Sequence, residues 1–212
     1  AYDRVDDAAC RIIRTSFQSS GNHPVQLELA ELLIQTIPCA EKVRFFKTGT
    51  EATMAAIRTA RNHTGRKLVA QCGYHGWTDI WRTGGGPGID PAASRSVRTF
   101  NGTAQGLADL LKSSPEQYAA VILCPVDTRP FTAENFQAIM DTAHEHGALV
   151  VFDEIKSGFR AALGGAQEYL RVTPDLTTLS KGMGNGYPIS AVVGKAKCMD
   201  SIEATASIGT FS

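Results

Sequence analysis

The stretch ALVVFDEI, residues 148–155, decides how the chain folds. Apolar residues follow one another without alternation, and two carboxylates close the run. A strand with one wet face alternates apolar and polar side chains, whereas a strand covered on both faces reads as continuous apolar sequence. The same pattern recurs in VRFFKTG (43–49), KLVAQCG (67–73), SVRTF (96–100), AAVILCPV (119–126), LTTLSKG (176–182) and ISAVVGK (189–195). Between these runs, residues 26–37, 51–65, 103–114 and 133–147 place apolar side chains three and four apart and end in Gly, Pro or polar clusters, which predicts amphipathic helices. The expected fold is a three-layer α/β/α domain with a mostly parallel seven-stranded sheet. Residues 182–188 are too few for a helical crossover, so the seventh strand should run antiparallel to the sixth. In such sheets ligands gather beyond the carboxyl ends of the strands.

Composition narrows the function classes. The chain has 212 residues, 43% hydrophobic and 20% charged, which suits one soluble globular domain. Its 21 basic and 21 acidic residues cancel, so no net field draws in nucleic acid or a membrane surface. The opening AYDRVDDAACRII carries acids where a signal peptide would be basic and then apolar, and a cytoplasmic location is expected. Five scattered cysteines, Cys10, Cys39, Cys72, Cys124 and Cys198, form no C-x-x-C pair and read as buried free thiols rather than a metal site. His144 and His146 precede Gly147 and read as polar residues at a helix C-terminus, again with no metal implied. Residues 82–96, RTGGGPGIDPAASRS, form a long Gly/Pro-rich loop, either a surface excursion or an active-site loop.

The strand ends carry the chemistry. KTGTEA leads from a strand into a helix; Thr48 and Glu51 fit a capping box, while Gly49 and the hydroxyls of Thr48 and Thr50 could also cradle a phosphate at the helix start. Asp153 closes a buried strand and needs a cation or hydrogen-bond donors, a protonated heterocyclic nitrogen being one candidate. Glu154 should face the other way into a structural ion pair. In CGYHGW, Tyr74 could lay its ring on a flat ligand, and His75 and Trp77 read equally well as packing or as ligand contacts. Lys181 ends the sixth run before a glycine-rich turn; KGMGNG lacks the Walker order of a nucleotide loop. A phosphate cradle, an aromatic plate, a carboxylate and an amine are the parts needed to hold pyridoxal 5'-phosphate (PLP), whose aldehyde forms a Schiff base with lysine.

The segments AEKVRFFKTGTEATMAAIRTAR, GYHGW, HGALVVFDEIKSGFR, LGGAQEYLRVTPDLTTLSKGMGNGYP and the terminal GTFS, in this order, resemble the class III, fold-type I PLP aminotransferases, and look most similar to glutamate-1-semialdehyde aminomutases and their aminotransferase relatives. The resemblance implies that Lys181 forms the Schiff base and shuttles a proton, and that Asp153 pairs with the pyridine nitrogen. It implies that Ile155 and Tyr74 flank the ring, that Thr48, Gly49 and Thr50 hold the phosphate with His75 nearby, and that Thr210 reaches the neighbouring site of a homodimer. The implied partners are a small-molecule amino donor and a carbonyl acceptor. The sequence departs from the family pattern at Lys47, Thr48, Lys156 and Cys124, the last standing where relatives carry a glutamate. Arg129 lies near positions that shape the substrate pocket in relatives, and otherwise reads as a surface arginine. Residues 1–212 would be the PLP-binding large domain, without the N-terminal segment and small domain of relatives. The implied activity is amino transfer, with intramolecular aminomutation or a non-catalytic binding and dimerisation module as alternatives.

Overall fold

The structure, a computed structural model, describes residues 2–15 and 23–205. All seven apolar runs form strands: β1 (Lys42–Phe46), β2 (Leu68–Cys72), β3 (Val97–Thr99), β4 (Tyr118–Leu123), β5 (Leu149–Asp153), β6 (Leu176–Leu179) and β7 (Ser190–Gly194). They build one sheet in the order β1-β7-β6-β5-β4-β2-β3. β7 is antiparallel to both β6 and β1, and the pairings among β2 to β6 are parallel.

Successive residues of the central strands enter opposite cores, which is why their sequences do not alternate. Ala120, Ile122 and Val151 pack on one face with α3 (Gly49–Thr64); Val121, Leu123, Val150 and Phe152 pack on the other with α4 (Ala104–Lys112) and α5 (Ala133–Glu145). Each fully buried Ile, Leu or Phe among them contributes about 1.5–3 kcal/mol. α2 (Pro24–Thr36) covers the β6–β7 end through Leu33, against Leu179, Ala191 and Val193.

Three helices lie outside the apolar periodicity: α1 (Asp3–Thr15), α6 (Gly165–Leu170) and α7 (Ala196–Met199). α1 is mostly exposed, and the Tyr187 hydroxyl donates to its Asp6 at 2.7 Å. Because α1 buries little, Cys10 lies exposed, which corrects the expectation of five buried thiols; the other four are buried. The long loop after β2 is anchored, not free: Trp81 is buried and its carbonyl accepts from the Gln71 amide at 3.3 Å. Among the described residues no helix is long and apolar enough to cross a membrane.

Candidate functional site

The carboxyl ends of β2, β5 and β6 and the start of α3 enclose a cavity of about 200 Å³. Gly49 and Thr50 border it from α3, Tyr74 and His75 from the loop after β2, Asp153 and Ile155 from β5 and its exit, and Lys181 from the turn after β6. Seven of the sequence candidates therefore meet at one place. Thr48 is not among the bordering residues, and Thr210 lies outside the described residues.

Thr48 caps α3 as the capping box predicts. Its hydroxyl accepts from the Glu51 N–H at 3.3 Å, and the Glu51 carboxylate takes the Thr48 N–H at 2.7 Å and the Thr48 hydroxyl at 2.9 Å. That hydroxyl is therefore engaged within the cap, leaving Gly49 and Thr50 to face the cavity. Gly49 stands where a Cβ would come within 2.7 Å of Ile155 Cδ1, so the helix start and the floor of the cavity touch.

Asp153 is buried, and its carboxylate is held by donors rather than by a lysine or arginine. His75 Nδ1 lies 2.8 Å from Oδ2, while the Thr178 hydroxyl and the Ile155 N–H each donate to Oδ1 at 3.2 Å. His75 is equally buried; its ring meets Trp81 edge-on at 5.3 Å and its carbonyl accepts from the Thr53 hydroxyl at 3.0 Å. His75 Nε2 is buried without a partner among the described residues. The imidazole thus orients the Asp153 carboxylate, a pairing across 78 residues that no local motif announces.

Lys181 opens a short 3-10 turn with φ of 43°, in the left-handed region that a branched or long side chain enters only at a cost of about 1–3 kcal/mol. The glycine-rich turn that follows closes onto β7, where the Ser180 hydroxyl donates to the Ile189 carbonyl at 2.9 Å. Strain at a lysine bordering a cavity is a functional signal that composition does not carry.

Three further residues border the cavity without having been singled out as ligand contacts: Gly76, Ser180 and Lys156. Lys156 Nζ pairs with Asp127 Oδ2 at 2.6 Å and lies 5.4 Å from the centroid of the half-exposed Tyr74 ring. Burial pushes the neighbouring Cys124 thiol up to about 12, with Asp153 and Asp127 adding to the shift, so it stays neutral. Arg129 is not at the cavity: its guanidinium donates to the Val126 and Thr128 carbonyls at 2.8 Å each, and the surface reading holds.

Glu154 corrects an expectation. It does face away from the cavity, but among the described residues it pairs with no cation. Its fully buried carboxylate accepts from the Ser157 hydroxyl at 2.8 Å, from the Ala166 N–H, and from the backbone and side-chain amides of Gln167 at 3.2 and 3.0 Å. The start of α6 supplies the Ala166 and Gln167 donors, and with the Ser157 hydroxyl they satisfy the charge with dipoles instead of an opposite charge. At the opposite edge of the sheet, His144 Nε2 and Lys195 Nζ bind Asp175 at 2.7 and 2.8 Å, and His146 Nδ1 lies 2.9 Å from the Thr142 carbonyl.

A family model described as class-III aminotransferase matches residues 91–212. The chain is 38% identical over 206 residues to the 3-aminobutyryl-CoA aminotransferase of Cloacimonas acidaminovorans, covering 93% of this chain and 49% of that protein. It is 40% identical over 232 residues to the glutamate-1-semialdehyde 2,1-aminomutase of Methanothermobacter thermautotrophicus, covering 100% of this chain and 55% of that protein. The solved PLP internal aldimine form of the FumI protein of Sphingopyxis sp. superposes with a TM-score of 0.90 at 30% identity, over 98% of this chain and 52% of that one. The architecture is that of the fold-type I transaminases. The chain belongs to the class-III aminotransferase family, and it spans about half the length of the curated relatives it matches.

Proposed function

We propose that this chain is the cofactor-binding large domain of a PLP-dependent enzyme that transfers an amino group from an amine or amino acid to a keto or aldehyde acceptor. One observation carries the reading: an amine, a buried carboxylate, an aromatic plate and a helix start converge on one cavity at the carboxyl edge of the sheet. The donor set fits the cofactor, with backbone N–H groups and the Thr50 hydroxyl suited to a phosphate, Ile155 and Tyr74 to the two faces of a flat ring, and Asp153 to a protonated ring nitrogen. When bound, PLP supplies an aldehyde that captures amines and a ring that absorbs electrons from a carbon losing its proton.

The roles of the residues follow from their surroundings. Lys181 Nζ is the amine that would hold the aldehyde, and once displaced by a substrate amine it would move the proton at the substrate carbon. Asp153, aligned by His75 and by Thr178, would keep the ring nitrogen protonated. Thr210 would complete the phosphate site of a second copy in a homodimer. Five free thiols fit a reducing, cytoplasmic setting. Intramolecular aminomutation, favoured by the 40% identity to a protein of that name, needs the same residues.

Borohydride reduction of the PLP-saturated protein followed by peptide mapping tests the assignment. The expected label is on Lys181, and a label on any other lysine refutes it. Label on Lys181 without amine-to-carbonyl exchange in the whole protein would point to a binding module.

A further inference from the structure

Three loops meet beside the cavity through one carboxylate. Asp127, in the turn Pro125–Asp127 after β4, accepts at Oδ2 from the Tyr74 backbone N–H at 3.3 Å and pairs at the same oxygen with Lys156 Nζ at 2.6 Å. The ammonium held in this way lies 5.4 Å from the centroid of the Tyr74 ring, within cation–π reach. Tyr74 is tied through its backbone and through its ring by groups from the ends of β4 and β5, which with β2 are successive neighbours in the sheet.

The approach depends on Gly73. Its φ of +102° is open to glycine, and a Cβ there would stand 2.8 Å from the Cys124 Cβ and 3.1 Å from the Asp127 Cβ. Desolvation works against the charge on both Lys156 and Asp127, yet their mutual hydrogen bond and attraction, joined at Asp127 by hydrogen bonds from Cys124 and the Tyr74 N–H, together outweigh it, raising the lysine and lowering the aspartate, so both stay ionised.

We propose that Lys156 is a positioning residue that, with Asp127, clamps the Tyr74 ring at the cavity wall. The inference rests on the cofactor reading above, in which Tyr74 is the plate for the ring. Tyr74 is 51% exposed on a loop and would otherwise lose rotamer freedom each time a flat ligand arrives; the clamp removes that loss beforehand.

The test combines Lys156→Met, Lys156→Arg, Tyr74→Ala and the Lys156→Met/Tyr74→Ala double variant. Hydrogen exchange across residues 73–77 is read in ligand-free protein, and PLP affinity and visible circular dichroism are read by titration. Lys156→Met should speed exchange at the Tyr74 amide and weaken PLP binding about five- to tenfold, the scale of one partly exposed ion pair plus one cation–π contact. It should also reduce the visible dichroism of the bound cofactor. Lys156→Arg should restore all three, and Lys156→Met should have no further effect on affinity in the Tyr74→Ala background. Unchanged exchange in Lys156→Met overturns the clamp. So does an equal loss of affinity with and without the Tyr74 ring, since Lys156 would then act on the ligand directly. Failure of the wild-type protein to take up PLP would instead sink the proposed function, while the exchange measurement still decides the clamp.

Discussion

Gly49→Ala sets a gain in helix propensity against a steric contact. At the first turn of α3 alanine is favoured over glycine by up to about 1 kcal/mol. The added methyl would stand 2.7 Å from Ile155 Cδ1 and 3.3 Å from its Cγ1 and Cγ2, well inside the optimum of about 3.5–4.0 Å for carbon pairs. Ile155 can relieve the contact by turning into the cavity it borders, so the ligand-free protein should keep its unfolding free energy within about 1 kcal/mol. The volume Ile155 then fills is the volume a bound ring needs. The strain should reappear as lost affinity, about 1–3 kcal/mol for overpacking, or about 5- to 150-fold in the dissociation constant for PLP. Ile155→Val deletes the Cδ1 methyl, and the Gly49→Ala/Ile155→Val double variant should recover most of the loss. Visible absorption titrations with PLP and urea melts without it separate the two quantities. Wild-type affinity in Gly49→Ala, or no recovery in the double variant, would refute the steric link between helix start and cavity floor.

Two further outcomes concern charges outside the cavity. Glu154→Ala leaves the Ser157 hydroxyl and three amide donors around α6 without an acceptor, and should cost about 3 kcal/mol or more in a urea melt; a loss under about 1 kcal/mol would show that water replaces the carboxylate. Burial raises the Asp175 carboxyl, but hydrogen bonds from His144, Lys195 and the Val150 N–H outweigh it and hold the group well below its ordinary 3.8. A depressed folded value means that its stabilisation is complete above 3.8 and is lost as pH falls toward the folded value. The stability gap between wild type and Asp175→Asn, followed by urea midpoints, should therefore shrink as pH falls below 3.8; a constant gap down to acid pH would contradict the assignment.

The seven strands were legible because burial on both faces leaves continuous apolar runs, and α3 because Thr48, Glu51 and Gly65 mark its ends. Gathering the strand ends also brought Asp153, Tyr74 and Lys181 to one edge before any contact was known. The contacts themselves were not legible. His75 lies in the loop after β2 and Asp153 ends β5, with β4 between those strands, and their pairing depends on how the loop after β2 reaches across the end of β4. Glu154 was expected to find a cation because a buried carboxylate needs a partner; that α6, only six residues long, would aim its amides at it is a tertiary fact with no local signature. The engaged hydroxyl of Thr48 shows the opposite case, where a common capping motif meant what it usually means.

The place of β7 has a consequence for how the domain is made. Among the described residues β1 pairs with β7 and with no other strand, so the strand that leads into Gly49 and Thr50 joins the sheet only when residues 190–194 lie between it and β6. On a ribosome the parallel core from β2 to β6 can pair in advance, while the earliest strand waits for the latest. The start of α3, which β1 leads into, and the turn of Lys181, which β6 leads into, thus come from strands on either side of β7, and a ligand bridging them would tie the two sides of that strand together.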